Sequence, residues 1–300
     1  NQNLLAMRYV FTCFILFLFT FAPSAQTTSL LQSGPMVGYS EMREVLLWVQ
    51  TKKAAKVQIR YWVASKPADT LHTAAVMTKA ETAFTAHLLA DRVEPGNRYD
   101  YLLLIDGKPV KLDYPTTFQS QTLWQWRTDP PVFKMAVGSC AYVNETQYDR
   151  PGKPYGADYQ IFQSIHKMQP DAMLWLGDNT YLREVDWNTR TGILKRNTHT
   201  RSIPEMHALL ASTHNYAIWD DHDFGPDNSD RSFAQKHHTL EAFKLFWANP
   251  SYGLDNSKGI TTFFQFADID FFLLDNRYNR APDNRKTGDR TMLGKEQLEW

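Results

Sequence analysis

Several apolar runs in this chain stop abruptly at residues that bind metals. "MAVGSC" ends in Cys140. "MLWLGD" ends in Asp178, with Tyr181 three residues on. "YAIWDDHD" ends in Asp220, Asp221, His222 and Asp223, and "FFLLDNR" in Asp275, Asn276 and Arg277. Any one of these is weak alone, because Asp and Asn are common turn residues. Together they present thiolate, carboxylate, phenol and imidazole, which turn chemistry does not account for. The donors also limit the ion. Carboxylates and a phenolate suit ferric iron, manganese or calcium, whereas a thiolate is soft. One thiolate among several oxygens points to a redox-capable or strongly Lewis-acidic ion. A structural zinc site of four cysteines is excluded, since the chain has 2. Two ions bridged by a shared carboxylate would polarise a phosphoryl oxygen and generate hydroxide near neutral pH.

The second cysteine, Cys13, lies in a segment that reads as removable. Arg8 precedes the apolar run "YVFTCFILFLFTFA", and "PSAQTTS" follows, with the small Ala25 at the expected cleavage point. That is the pattern of a secretory signal peptide over residues 1–25, with Met7 as the start. A membrane anchor is the alternative, but the run is short for a span. The bulky residues ahead of Cys13 argue against lipid attachment. Export favours disulfides, yet residues 26–300 hold a single cysteine. Cys140 is therefore an intermolecular bridge, a reactive group or a metal ligand, or else a small buried core residue. At the other end, "LGKEQLEW" reads as the first turns of an amphipathic helix with nothing to end it, as in a chain cut at Trp300. Acidic and basic residues balance at 32 each, so nothing points to nucleic acid or a membrane surface as a partner. The oligomeric state is not readable.

The elements that position these residues fall into two rhythms. From Gly34 to Gln121 the chain reads as short strands. "VQIRYWV" puts Val57, Ile59, Tyr61 and Val63 on one face, and "YDYLLLI" does the same with Tyr99, Tyr101, Leu103 and Ile105. "EVLLWVQT" and "TAFTAHLL" are further strands, with turn signals at "EPGN" and "DGKP". Evenly spaced strands without a helical period suggest an all-β sandwich of the immunoglobulin or fibronectin type over residues 26–125, with a packing or presenting role. After "TDPPVF" the rhythm changes. "KMAVG", "DAMLWLG" and "HNYAIW" read as short buried strands. "DYQIFQSIHKM" and "KHHTLEAFKLFWAN" read as helices, and "ITTFFQFADIDFFLLDN" as a strand pair. Strands alternating with helices over residues 130–300 make an α/β domain whose site is built at the C-terminal strand ends.

"GSC", "WLGDNTYL", "WDDHDFGPDN", "LLDNRY" and the terminal "LGKEQLEW" together resemble the alkaline phosphatase D family, the PhoD-like branch of the calcineurin-like metallophosphatases. The resemblance runs over nearly all of residues 26–300, and the strand-rich part is similar to that family's N-terminal fibronectin-like domain. The family's Gly-Ser-Cys, Gly-Asp-x-x-Tyr and Trp-Asp-Asp-His segments stand here at Gly138–Cys140, Gly177–Tyr181 and Trp219–His222. The family completes its centre with a Gly-Asp-x-His-type segment, and none follows Asp275 here, which agrees with a chain truncated at its C-terminus.

The resemblance implies a secreted or periplasmic phosphoesterase with two metal ions, iron plus calcium or another divalent ion. It implies Cys140, Asp178, Tyr181 and Asp221 as ligands, with Asp223 and Asn228 as further candidates. Arg277 could contact phosphate, though an ion pair with Asp275 is the stronger expectation. Metal-bound hydroxide would attack phosphorus in line, and His222, oriented by a neighbouring carboxylate, would give a proton to the leaving oxygen. Ser139 has no histidine in triad-like context, which argues against a serine nucleophile. His166, His199, His207, His214, His237 and His238 match no motif. A phosphodiesterase acting on lipid or nucleotide diesters is the rival within the same chemistry, since selectivity would lie in loops such as "YVNETQYDRPGKPYG" and "REVDWNTRTGILKRNTHTRS". A non-catalytic surface-binding protein that keeps the fold is the rival from another class.

Overall fold

The computed structural model describes residues 30–254 and 258–300. The leader-like segment and Cys13 lie outside them. The first part of the chain forms two antiparallel sheets. One has the order β1 (Leu31–Ser40), β2 (Val45–Thr51), β6 (Thr85–Ala90). The other centres on β3 (Lys56–Val63) and β7 (Arg98–Ile105), with the two-residue strands β4 (Leu71–His72), β5 (Val76–Met77) and β8 (Lys108–Pro109) and the short β9 (Thr117–Gln119) beside them. The alternation of β3 and β7 decides what faces inward. Val57, Ile59 and Tyr61 are buried, as are Tyr99, Tyr101, Leu103 and Ile105, and they meet Val45, Leu47, Val49 and Leu88 of the other sheet in one apolar cluster. Tyr99 and Phe118 stack within it, ring centroids 5.1 Å apart.

The second part is built on three parallel strands, β10 (Met135–Gly138), β11 (Ala172–Leu176) and β12 (His214–Ile218), in that spatial order. Parallel neighbours need crossover connections. Here α1 (Gln160–Lys167) makes the first, and α2 (Arg190–Arg201) with α3 (Pro204–Ser212) makes the second, so that "REVDWNTRTGILKRNTHTRS", expected as a loop, is mostly helix, capped by the Thr189 side chain accepting from the Gly192 amide. Beyond β12 come α4 (Asp221–Phe224), α5 (Lys236–Phe246), the hairpin β13 (Thr262–Phe266) with β14 (Ile269–Leu273), and α6 (Lys295–Glu299). Successive residues of β11 point to opposite faces. Met173 and Trp175 pack with Phe162, Leu209, Phe243 and Trp247 from the helices. Ala172 and Leu174 pack with Tyr216 against Phe264, Phe266 and Leu273 of the hairpin, where Tyr216 stacks on Phe264 at 3.7 Å. The expected burial of "KMAVG" needs correction. β10 is an edge of the three-stranded parallel sheet, and its Val137 is 59 % exposed.

The two parts share a core. Met36 of β1 and Trp48 of β2 sit in the same apolar cluster as Met173, Trp175 and Phe246. The Trp48 indole N–H donates to the Leu245 carbonyl at 2.7 Å. Along the seam, Asn215 Nδ2 donates to the Val37 carbonyl at 3.0 Å, and Tyr101 donates to the Ala211 carbonyl at 2.8 Å. His214 is fixed between the Gly38 carbonyl (2.9 Å from Nδ1) and the Gln119 N–H (3.2 Å from Nε2). Gly38 has to be glycine here, since a Cβ would lie 2.3 Å from the Ala248 Cβ. The strand-rich part thus braces the strands that carry the candidate site.

Candidate metal centre

Each parallel strand ends in a residue that turns its side chain toward one point. After β10, Cys140 takes a left-handed conformation (φ 60°), and its amide donates to the Gly177 carbonyl at 3.2 Å. After β11, Gly177 (φ +93°) lets the chain pass against the next loop, where a Cβ would stand 2.6 Å from the Asp220 Cβ. Asp178 follows, also left-handed at φ 52°. Two non-glycine residues with positive φ at adjacent strand ends are a conformational cost that regular strand ends avoid. After β12, α4 begins at Asp221 and brings His222 beside it.

These turns make Asp178 the hub. Its Oδ2 accepts from the Tyr181 hydroxyl at 3.2 Å and from the Cys140 thiol at 3.7 Å, and its Oδ1 accepts from the His222 amide at 3.3 Å. Asp178, Asp221 and His222 each place a donor atom within 4.8 Å of the others. The ring of Tyr181 lies 4.4 Å from that of His222. Asp227 Oδ1 sits 3.5 Å from His222 Nε2. Cys140, Asp178, Tyr181, Asp221 and His222 are thereby brought together.

Burial, then the charge of Asp221, raises the Asp178 carboxyl above the usual carboxylate range. Burial works against the charged form of Asp221 too, but the Asn228 amide, 2.5 Å from Oδ2, and Arg277, 3.7 Å from Oδ1, outweigh it and hold its carboxyl below that range. Burial, then Asp178 and Cys140, pushes the Tyr181 phenol far up. In all, two buried carboxylates and a reluctant phenol converge with an imidazole and a thiol. The amide oxygens of Asn179 and Asn276, next in chain to Asp178 and Asp275, are buried and accept no hydrogen bond. Asp178, Asp221 and His222, with ligand atoms within 4.8 Å of one another, fit a cation, and the mixed donors around them fit a borderline to hard one.

The remaining candidates take other places. Asp223 is turned away from the cluster. Its carboxylate accepts from the amides of Thr180 (2.9 Å), Asp220 (3.0 Å) and Asn179 (3.2 Å), and burial pushes its pKa up to about 8. It ties the loop after β11 to the loop after β12. Asn228 acts through its backbone amide on Asp221, while its side chain donates to Asp227. The ion pair expected between Arg277 and Asp275 forms with Asp220 instead, Nε to Oδ1 2.5 Å. Asp275 Oδ1 is taken up by the Trp219 indole N–H (2.8 Å) and the amides of Arg277 and Tyr278 (2.9 Å each). Asp220 and Asp227 were visible in the "WDDHDFGPDN" run, but a run of carboxylates does not reveal which one meets an arginine and which a histidine.

The chain is similar in fold to PhoD. The match to that solved structure covers 91% of this chain and 59% of that one, at 18% identity and a TM-score of 0.73. A purple acid phosphatase, PPD1 from yellow lupin (Lupinus luteus) seeds, matches over 90% of this chain and 48% of that one, at 10% identity and a TM-score of 0.59. The chain therefore spans less than two thirds of either protein, and at these identities the likeness is one of fold alone. Residues 28–123 match a domain of unknown function, DUF7800. No curated protein matches the chain.

Proposed function

We propose that this protein is a metal-dependent phosphoesterase built on Asp178, Asp221 and His222: the two carboxylates, with Cys140 and Tyr181, are the donors to the ion, and His222 beside them is the general acid. The convergence of the first three within 4.8 Å, at adjacent strand ends of a metallophosphatase fold, carries the reading. Bound there, one or two ions, iron with calcium or another divalent ion in our reading, would polarise a phosphoryl oxygen and lower the pKa of an attacking water. The chain's own residues do the rest. Asp178 and Asp221 balance cationic charge, and their placement by Gly177, Asp223 and Asn228 pre-organises the site. His222, with Asp227 3.5 Å from its Nε2, carries the proton for the leaving oxygen. Arg277 is committed to Asp220 and Asp221 and acts as a positioning residue. We read the protein as exported, on the leader-like pattern at its start.

The test is hydrolysis of a chromogenic phosphate monoester and of the matching diester, with manganese or iron supplied and then removed by chelator. Metal-dependent turnover of either ester that falls by a hundred-fold or more in His222→Ala is the expected result. Turnover that survives both chelation and Asp178→Asn would overturn the reading.

A further inference from the structure

A cleft of about 400 Å3 opens beside the candidate centre, and Cys140, Tyr181 and His222 line it. Its volume falls in the range of sites that hold a small organic molecule, about 300–1,000 Å3. The connection between β10 and α1 supplies a wall through Tyr142, Arg150 and Tyr155, and Trp187 adds an aromatic edge. The rings are in file. From His222 the next is Tyr181 at 4.4 Å, then Tyr142 at 4.8 Å, then Tyr155 at 5.3 Å.

The inner rings are held firmly. The Arg183 guanidinium lies 4.4 Å from the Tyr142 ring centroid and is itself paired with Asp149 at 2.7 Å. The Tyr142 hydroxyl donates to the same Asp149 carboxylate at 3.0 Å. Trp187 donates to the Leu182 carbonyl at 3.3 Å. The outermost ring, Tyr155, is 64 % exposed. A single exposed tyrosine is ordinary on a protein surface. One that ends a file of braced rings starting at the candidate centre is placed for stacking.

We propose that this file is the binding wall for a planar aromatic group, of nucleoside size, carried by the phosphate ester. The proposal depends on the phosphoesterase reading for where the phosphate sits, and the wall itself is set by the rings. A group esterified to a phosphate held near Asp178 and His222 would have this cleft beside it, because Cys140, Tyr181 and His222 line the cleft together with Tyr142 and Tyr155. Faces of aromatic residues accept any base, so the wall selects for the aromatic group and not for its identity.

The test pairs ligands that differ only in the ring. Adenosine 5′-monophosphate and ribose 5-phosphate lose the same primary alkoxide, so their kcat/KM ratio reports the base. Adenosine and ribose, which carry no phosphate, report binding by calorimetry on the same metal-supplied protein. The expected preference for the ring-bearing member is about five- to 150-fold in both readouts, the range of one base stacked on an aromatic residue. Tyr155→Ala should bring both ratios toward one, and Tyr155→Phe, which keeps the ring, should preserve them. A Tyr155-dependent preference for adenosine, with no turnover of these esters or of the chromogenic monoester and diester, would leave the wall standing and overturn the phosphoesterase reading. Equal affinities and equal kcat/KM in the wild type, or ratios unmoved by Tyr155→Ala, would overturn the wall.

Discussion

Gly177→Ala probes the point where the loops after β11 and β12 touch. Two costs can be worked from the structure. The backbone there is at φ +93°, in the region that penalises a side chain by about 1–2 kcal/mol. The added methyl would lie 2.6 Å from the Asp220 Cβ, 2.7 Å from the Asp220 nitrogen and 2.8 Å from the Trp219 carbonyl carbon. None of these is the far end of a flexible side chain, so the backbone must move, and overpacking of this kind costs about 1–3 kcal/mol. The sum, about 2–5 kcal/mol, is a large part of the 5–15 kcal/mol that holds a typical domain. Gly107→Ala is the control, because Gly107 has φ +74° but nothing within 4 Å of its would-be Cβ, so it pays the strain alone. Unfolding free energies from urea titration should place Gly177→Ala below Gly107→Ala by the packing cost. The shift also moves Asp178 and Asp220, and a displacement near 1 Å at a reacting centre lowers turnover by about a hundred-fold. Equal stability of the two variants, together with undiminished hydrolysis by Gly177→Ala, would refute the claim that this close approach sets the site.

Cys140→Ser should lower bound iron and hydrolysis together while the far-ultraviolet dichroism is unchanged, because a hydroxyl is a poorer ligand than a thiolate; iron content and activity both at the wild-type level would contradict its place in the centre. An iron-replete protein should show a visible charge-transfer band that Tyr181→Phe bleaches, and a band that persists in the variant would exclude the phenol as a ligand. Burial lowers the His214 pKa below its unfolded value of 6.5, so above that value its neutral, doubly hydrogen-bonded form stabilises the seam, and the stability is lost as pH falls through the window beneath 6.5. The free-energy advantage of wild type over His214→Gln, measured in chelator, should therefore shrink between pH 7.5 and 5, by up to about 1.4 kcal/mol per pH unit; a constant difference would be the contrary result.

Much of the architecture could be read from alternation. The inward faces of β3 and β7 follow from period two, and the site strands from apolar runs that stop at a donor. The convergence of three of the four runs was readable too, since strand ends of a parallel sheet share one edge, whereas "FFLLDNR" closes an antiparallel hairpin and its Asp275 bonds Trp219, Arg277 and Tyr278 instead. Three features could not be read. Val137 sits in an apolar run yet faces outward, because the edge position of β10 depends on strand order and not on local pattern. Asp223 carries the same side chain as Asp221, but only the turn of α4 decides that one meets backbone amides and the other faces the cluster. Trp48 reads as a residue of its own sheet, and its partner Leu245 lies 197 residues away. Long-range partnership of this kind follows from packing, which pattern alone does not encode.

The most direct test of the central claim is the metal content of the purified protein, wild type against Asp178→Asn, by elemental analysis after exhaustive dialysis. Asp178 is the hub that touches Cys140, Tyr181 and His222, so its charge is the one the centre can least lose. At least one tightly held ion per chain is expected in the wild type, and its loss in the variant at unchanged far-ultraviolet dichroism. A wild type that retains no ion, or a variant that retains as much as the wild type, would contradict it.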